Sequence, residues 1–469
     1  MEGAGEHVGE LGPDAGSALI RETMRREGIG QAAIDTFEHH YRVLVGGATG
    51  MMPESTIVPY EMPALRDQHV PPSVAEAAVR STAVIKLNGG LGTSMGLDRA
   101  KSLLRARDDL TFLDMIARQL LALRREWKAP LPITFLHSFR TSADSLEALA
   151  AYPELAVPGI SLEVLQNRVP KLRADDLTPV RWPPDPALEW CPPGHGDLYP
   201  VLYATGLLEA LLEAGCTQAF VSNSDNLGAV PDPHVAGWFA QSGAPFAVEA
   251  VRRTASDRKG GHFARRRRDG RVILRESAQT PAEDQAAMAD LALHRYASTN
   301  NLWFDLAAMR AELEAHRGVL ELPLIKNVKT VDPADPASPP VVQLETAMGA
   351  AIQLFEGAQT IEVGRDRFIP VKTTDDLLVL RSDCYRMDED CRLHQTSTRI
   401  PFVELGAPYK LVDDFERRFP DGVPSMLDAT ALVVRGDWTF GAGVRVVGAA
   451  ELGPDGGSIP PHTVLGGTG

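Results

Sequence analysis

The chain is short of cysteine, short of basic charge and without a long apolar run, and each shortage removes a class of protein. Only four cysteines stand in 469 residues: Cys191, Cys216, Cys384 and Cys391. Their spacing fits no metal-ligand pattern and they are too few for a disulfide scaffold, which suits a reducing, cytoplasmic compartment. Lys and Arg number 47 against 62 Asp and Glu, a formal charge of −15. Broad binding to nucleic acid or to an anionic membrane needs a basic face, so neither is expected. An anionic ligand would have to be held by a local positive site. No stretch approaches the ~20 apolar residues of a membrane span. The start carries Glu2, Glu6 and Glu10 among glycines and lacks an apolar signal core.

Two familiar phosphate-loop spacings are missing as well. There is no G-x-x-x-x-G-K-[ST], and Gly89, Gly90, Gly92 and Gly96 do not meet the G-x-G-x-x-G of a dinucleotide turn. What is present is Leu87-Asn88-Gly89-Gly90-Leu91-Gly92-Thr93-Ser94-Met95-Gly96, with Lys101 and Ser102 just beyond. Before it, Thr82–Leu87 reads as a buried strand. Glycines here remove side chains where the backbone turns, so bare N–H groups can cradle an anion. Lys101 stands at a distance that lets it return as a phosphate counter-charge. A strand-to-helix turn that is merely Gly-rich is the competing reading.

The length predicts two or three domains with ample core. Residues 1 to about 16 read as a disordered Gly/Glu-rich start. Ala18–Arg26 and Ala32–Val45 read as helices broken by Gly28 and Gly30, and residues 52–63, with three prolines, read as a loop. Residues 1–80 are thus expected to form an N-terminal helical extension. Beyond the Gly-rich loop, helix and strand signals alternate. A helix carries Phe112, Met115, Ile116, Leu120 and Leu123, and Leu131–Leu136 follows as a strand. One amphipathic helix is expected from Leu198 to Leu212, stopped by Gly215, and then a strand over Gln218–Ser222. This alternation implies an α/β domain with a mixed, mainly parallel central sheet flanked by helices. Ligands in such sheets bind beyond the carboxyl ends of the strands, where both the Gly-rich loop and Asn223-Ser224-Asp225-Asn226 fall. The run Arg265–Arg268 before Asp269-Gly270 reads as a charged hairpin tip on an exposed edge. After Arg399, short β-branched triplets spaced by glycine resemble the rungs of a β-helix.

The loop from Lys86 to Gly96 resembles, at all eleven positions, the Lys-Leu-Asn-Gly-Gly-Leu-Gly-Thr-Ser-Met-Gly signature of the eukaryotic-type UTP–glucose-1-phosphate uridylyltransferases. The family closes this loop with Pro-Lys-Ser; here Ala100 replaces the proline and Lys101 is kept. Further matches are Pro192-Pro193-Gly194-His195-Gly196-Asp197, Asn223-Ser224-Asp225-Asn226, Gln343-Leu344-Glu345-Thr346-Ala347 and Arg367-Phe368-Ile369-Pro370-Val371-Lys372-Thr373-Thr374. Ser298-Thr299-Asn300-Asn301-Leu302-Trp303 is similar to the family's sugar-side Asn-Thr-Asn-Asn-Leu-Trp, with Ser298 for its first Asn and Ala297 for the preceding Phe. The resemblance is dense from Lys86 to Tyr385.

This resemblance implies a Rossmann-like nucleotide-sugar transferase domain over residues 81–395 and a short left-handed β-helix over 396–469. It implies transfer of a uridylyl group from UTP to glucose 1-phosphate, giving UDP-glucose and pyrophosphate. Lys101 and Lys372 would be the catalytic cations, and Asp225 would hold Mg²⁺. Leu87, Asn88, Gly89, Gly90, Gly92 and Thr93 would contact the nucleotide from the loop. Gln166 would meet the uracil, and Gly194, His195, Asn223 and Asn226 would lie against the nucleotide. Asn300 would serve the sugar, and Glu345 would be a structural or sugar-orienting carboxylate. The attacking phosphate has a second pKa of ~6 and is largely ionised at neutral pH, so no general base is needed. Family members differ in assembly, which leaves a homo-oligomer open. Rival readings are the same chemistry on galactose 1-phosphate or an N-acetylhexosamine 1-phosphate, and a non-catalytic nucleotide-binding regulatory module. A hydride-transferring dinucleotide enzyme is disfavoured by the loop spacing.

Overall fold

The computed structural model describes residues 13–254, 257 and 260–467. Residues 1–12 of the expected disordered start lie outside the described residues. The rest of that start is helical: α1 spans Pro13–Arg26, and Gly16 packs against the Tyr41 ring of α2 (Gln31–Val45). A glycine of the expected disordered start is here the point where two helices approach closely. These helices pack Ile20, Met24, Ile34 and Phe37 onto Leu324, Val342 and Leu344 of an antiparallel hairpin, Leu324–Thr330 with Pro340–Thr346.

The centre is a ten-stranded mixed sheet. Its strands are β1 (Ile57–Pro59), β2 (Thr82–Asn88), β3 (Ile133–His137), β4 (Glu163–Leu165), β5 (Gln218–Asn223), β6 (Phe246–Arg252), β7 (His262–Arg266), β8 (Val272–Arg275), β9 (Tyr296–Asp305) and β10 (Gln359–Glu362). The order is β1-β7-β9-β5-β2-β3-β4, with β6 pairing β9 and β10, and β8 pairing β7. The run β5-β2-β3-β4 is parallel throughout, as is β6–β10. Pairings to β7 and β9 are antiparallel, so the continuous parallel run is confined to the half that carries the Gly-rich loop, with β6–β10 as one parallel pair beyond it.

Alternation along β2 feeds two cores. Val84 joins Phe112, Phe135 and Phe220 on one face, while Ala83 and Ile85 join Tyr199, Leu208 and Val221 on the other. Strands buried on both faces read as continuous apolar runs, which is why β2 and β5 were legible.

Three expectations are corrected. The stretch 52–63 is not all loop: β1 pairs Ile57 with Arg266 and Pro59 with Ala264. Residues 1–80 are therefore not purely helical, and β7 is covered on that side rather than exposed. The Arg265–Arg268 hairpin does turn at Asp269-Gly270, where Gly270 has φ +70° and Arg266 pairs with Asp269. The single helix expected from Leu198 to Leu212 is two, Leu198–Thr205 and Leu207–Glu213, parted by Gly206 at φ +69°. Glycine enters the left-handed region without the Cβ penalty, and the chain turns there.

At the C-terminal end, Phe402–Leu405, Ser425–Val434, Arg445–Leu452 and Val464–Leu465 form a parallel sheet. A second parallel pair, Trp438–Phe440 with Gly457–Ile459, stacks beside it. These parallel pairings fall where the sequence carries its β-branched, Gly-spaced triplets. One buried cluster runs from Ala78 through the sheet to Ile459, so these strands share the main core. Among the described residues, no helix is long and apolar enough to cross a membrane.

Candidate active site

β2 delivers the Gly-rich loop to the carboxyl end of the parallel strands. Asn88 holds the loop from behind: its amide donates to Ser145 Oγ at 3.0 Å, and Thr141 Oγ1 donates to its carbonyl at 2.8 Å. At Gly89 a Cβ would come within 2.8 Å of Gln166 Oε1, so a side chain there would push the Gln166 amide aside. The Lys101 N–H donates to the Gly90 carbonyl at 3.1 Å, folding the far end of the loop back. Gly92 lies under the Leu97 side chain, and Thr93 starts an exposed 3-10 turn. Gly92 and Thr93 therefore shape the loop but stand outside the cleft that Leu87–Gly90 lines.

That cleft has a volume of about 310 Å³ and lies between the Gly-rich loop, Gln166, the Pro192–His195 turn and Asn223–Asp225. Lys101 Nζ donates to Asp225 Oδ2 across it at 2.9 Å. Gln166 Nε2 donates to the Gly194 carbonyl at 2.9 Å, tying the second wall to the third. Gly194 has φ +83°, and a Cβ there would sit 2.5 Å from the Thr346 carbonyl. The turn is thus pressed on the strand end that carries Glu345 and Thr346.

His195 is fixed as a neutral donor. The Met348 N–H donates to its Nδ1 at 3.0 Å, which places the ring proton on Nε2, and burial pushes its pKa down to about 4. Behind it, the Asp197 carboxylate accepts from Asn167 N–H at 2.6 Å and Asn167 Nδ2 at 2.9 Å; burial pushes this acid up to about 6.

The structure divides the expected site residues. Leu87, Asn88, Gly89, Gly90, Lys101, Gln166, Gly194, His195, Asn223 and Asp225 line one cleft. Asn226 does not. It is buried, its Nδ2 donating to the Arg367 carbonyl at 3.1 Å and its Oδ1 accepting from Ile369 N–H at 2.8 Å. Its amide is occupied in clamping two loops together. Asn300, at φ +57° within β9, has its N–H capped by Ser298 Oγ at 3.2 Å. Glu345 abuts the Gly194 turn, and Lys372 is exposed; neither lines the cleft. The chain at Lys372 is nevertheless anchored beside Asp225, because Val371 N–H donates to the Asp225 carbonyl at 3.1 Å.

Sequence reasoning missed the buried network below this floor. Glu249 is fully buried and accepts from Arg367 at 2.6 and 2.7 Å, from Trp303 Nε1 at 2.8 Å and from Asn301 Nδ2 at 3.0 Å. Its one local signal was a lone acid in the apolar strand Phe246-Ala247-Val248-Glu249-Ala250-Val251. A buried carboxylate needs such partners, since an unpaired one would be heavily penalised.

Among the described residues no cluster of three His, Cys, Asp or Glu side chains could cage a metal, and Asp225 is the one carboxylate lining the cleft. A single carboxylate fits Mg²⁺, which keeps several waters and takes substrate phosphates as further ligands.

Bare backbone at a parallel strand end, with a cation and a carboxylate facing across it, belongs to the α/β nucleotidyltransferases. The family follows from comparison. The profile of the UTP–glucose-1-phosphate uridylyltransferase family matches residues 37–446, and the chain belongs to that family. It is similar to the UTP–glucose-1-phosphate uridylyltransferase of Solanum tuberosum, 36% identical over 421 residues that cover 88% of this chain and 85% of the relative. The Saccharomyces cerevisiae enzyme of that name is 37% identical over 374 residues, covering 79% and 73%. Among solved structures, a mutant UDP-glucose pyrophosphorylase from Leishmania major in complex with UDP-glucose superposes with a TM-score of 0.91 at 40% identity, covering 97% of this chain and 98% of its own. A structure described as UDP-glucose phosphorylase from Trypanosoma brucei gives a TM-score of 0.88 at 40% identity, covering 96% of this chain and 98% of its own.

Proposed function

We propose that this chain transfers the uridylyl group of UTP to the phosphate of α-D-glucose 1-phosphate, forming UDP-glucose and pyrophosphate reversibly. An acceptor phosphate oxygen forms a bond to the α-phosphorus while the α–β phosphoanhydride bond breaks, and pyrophosphate leaves with that electron pair. The observation that carries the reading is the Lys101–Asp225 pair facing the bare Gly89-Gly90 backbone in one cleft. With the nucleophile already anionic, catalysis reduces to in-line positioning and charge neutralisation. Lys101 and the loop amides hold the triphosphate. The His195 Nε2–H donates to a phosphate oxygen, and Gln166 holds the base. Asp225 would hold Mg²⁺ together with phosphate oxygens, supplying neutralisation of the phosphate charge. Lys372, exposed on a segment tied to Asp225, draws in the sugar phosphate, with Asn300 and Glu345 on the sugar side.

Residues 81–395 are read as the catalytic unit, and the parallel coils after residue 396 as a left-handed β-helix. The four cysteines are free and buried, which supports a reducing cytoplasm.

The test is pyrophosphate release from UTP and Mg²⁺ with glucose 1-phosphate, galactose 1-phosphate and N-acetylglucosamine 1-phosphate as parallel acceptors. Release with glucose 1-phosphate alone is expected. Preference for another sugar would trace to Ser298 and Ala297, and binding of UTP without release would make the chain a nucleotide-binding regulatory module.

A further inference from the structure

Lys86 lies on β2 immediately before the Gly-rich loop, yet it faces the protein interior and is buried. Its Nζ donates to Ser222 Oγ at 2.8 Å and to the Ala229 carbonyl at 2.7 Å. Those two groups are the ends of one loop. Ser222 is the last buried residue of β5 before Asn223, and Ala229 closes the turn after Asp225, Asn226 and Gly228. A single buried ammonium thus spans the base of the segment that carries Asp225.

Its surroundings bear on its charge from both sides. Arg367 is satisfied by Glu249 in a bidentate pair, and both cations lie 5.9 Å from the centroid of the Phe220 ring. Lys86 has no carboxylate in contact among the described residues. Burial and the neighbouring Arg367 push its pKa down to about 7, while the Asp225 and Glu249 carboxylates act in the opposite direction. Burying a cation without a contacting anion is costly, and an apolar side chain of similar length would pack at less cost.

We infer that Lys86 is a positioning residue for Asp225, pinning both ends of the carboxylate-bearing loop from below while touching nothing in the cleft. The inference rests on the reading of Asp225 as the phosphate-side carboxylate of the proposed reaction. Partners behind a ligating carboxylate typically matter by roughly 10- to 100-fold in metal affinity or activity.

A double-mutant cycle tests it. Lys86→Met, Asp225→Asn and the double variant are compared in kcat/KM for pyrophosphate release, with the Mg²⁺ concentration at half-maximal rate recorded for each. If Lys86 acts through Asp225, the double variant is no slower than Asp225→Asn alone. Lys86→Met alone then raises the Mg²⁺ requirement by about 10-fold and leaves the KM for glucose 1-phosphate near the wild-type value. Losses that multiply across the cycle, or a wild-type rate in Asp225→Asn, overturn the inference. Should Lys86→Met fail to fold, Ser222→Ala removes one of the two anchors and enters the same cycle, with a smaller effect of the same sign. The cycle is also read in the affinity for UTP with Mg²⁺. A chain that binds UTP without releasing pyrophosphate would void the proposed reaction and still decide the role of Lys86.

Discussion

Lys101 and Asp225 face each other at 2.9 Å as an ion pair in a half-buried setting. Replacing Lys101 by Ala removes the cation that meets the triphosphate and leaves Asp225 without its counter-charge. Preorganised contacts of this kind are worth about 10²–10³ in kcat, and that loss is expected for Lys101→Ala with the fold retained. Steady-state pyrophosphate release, paired with a melting curve, checks it; a variant within a few-fold of wild type would remove Lys101 from the chemistry. At this scale the sequence was most informative where chemistry and backbone shape coincide. Gly89, Gly194, Lys101 and His195 stand in short runs that resemble the family's motifs, and the structure brings all four to one cleft. Asn226 shows the limit of that signal. It sits in the same run as Asp225, but only the packing of Arg367–Pro370 against it reveals that its amide is already occupied. Glu249 and Lys86 gain meaning from partners more than a hundred residues away, which no local pattern encodes.

Among elements, the turns decide more than the strands. Gly194 and Gly206 both have positive φ, and only one is hemmed in: a Cβ on Gly194 would meet the Thr346 backbone at 2.5 and 2.8 Å, whereas one on Gly206 would meet nothing closer than Glu209 Oε2 at 3.9 Å. Gly206→Ala should therefore cost about 1 kcal/mol, the left-handed penalty alone, and leave kcat unchanged. Gly194→Ala adds a backbone collision and displaces His195, so activity should fall by at least ~10²-fold, in line with the cost of small misplacements at a reacting centre. Measuring Tm and kcat for the pair separates the two contributions; equal effects would mean that the turn is not held by Thr346. The buried parallel strands were legible because both faces are apolar. The three-residue β1 and the break at Gly206 were not: the one depends on pairing with β7 and on packing of Ile57 against Ile273, and the other interrupts a leucine pattern that continues unbroken through it.

For the whole molecule, the buried histidines set the response to acid. Burial lowers the pKa of His40 and of His195 to about 4 and that of His262 to about 2, and it also lowers His137 and His294. In the unfolded chain a histidine takes up its proton near pH ~6.5. Between that pH and the folded values the unfolded state binds more protons, so stability falls as pH is lowered through this window. Asp197, pushed up to about 6, acts in the opposite sense and offsets part of the effect. Tm should therefore decline steadily from pH 7 to pH 5, followed by calorimetry at constant ionic strength. A Tm that holds or rises would show that the raised carboxylates outweigh the histidines.

The C-terminal coils carry a consequence of another kind. Each coil pairs in parallel with the one before it, Trp438 over Gly457 and Arg445 over Val464, and the corners close through glycines such as Gly436 and Gly441 that sit against the next turn of backbone. Contacts of this nearest-neighbour sort make each strand depend on the one beside it. A break in one pairing would turn inward-facing residues such as Phe440 and Val446, which belong to the main core, toward water. The end of this chain is thus laid in courses, like brick, and its segment reaches the Gly-rich loop itself, where Leu411 lies against Gly96.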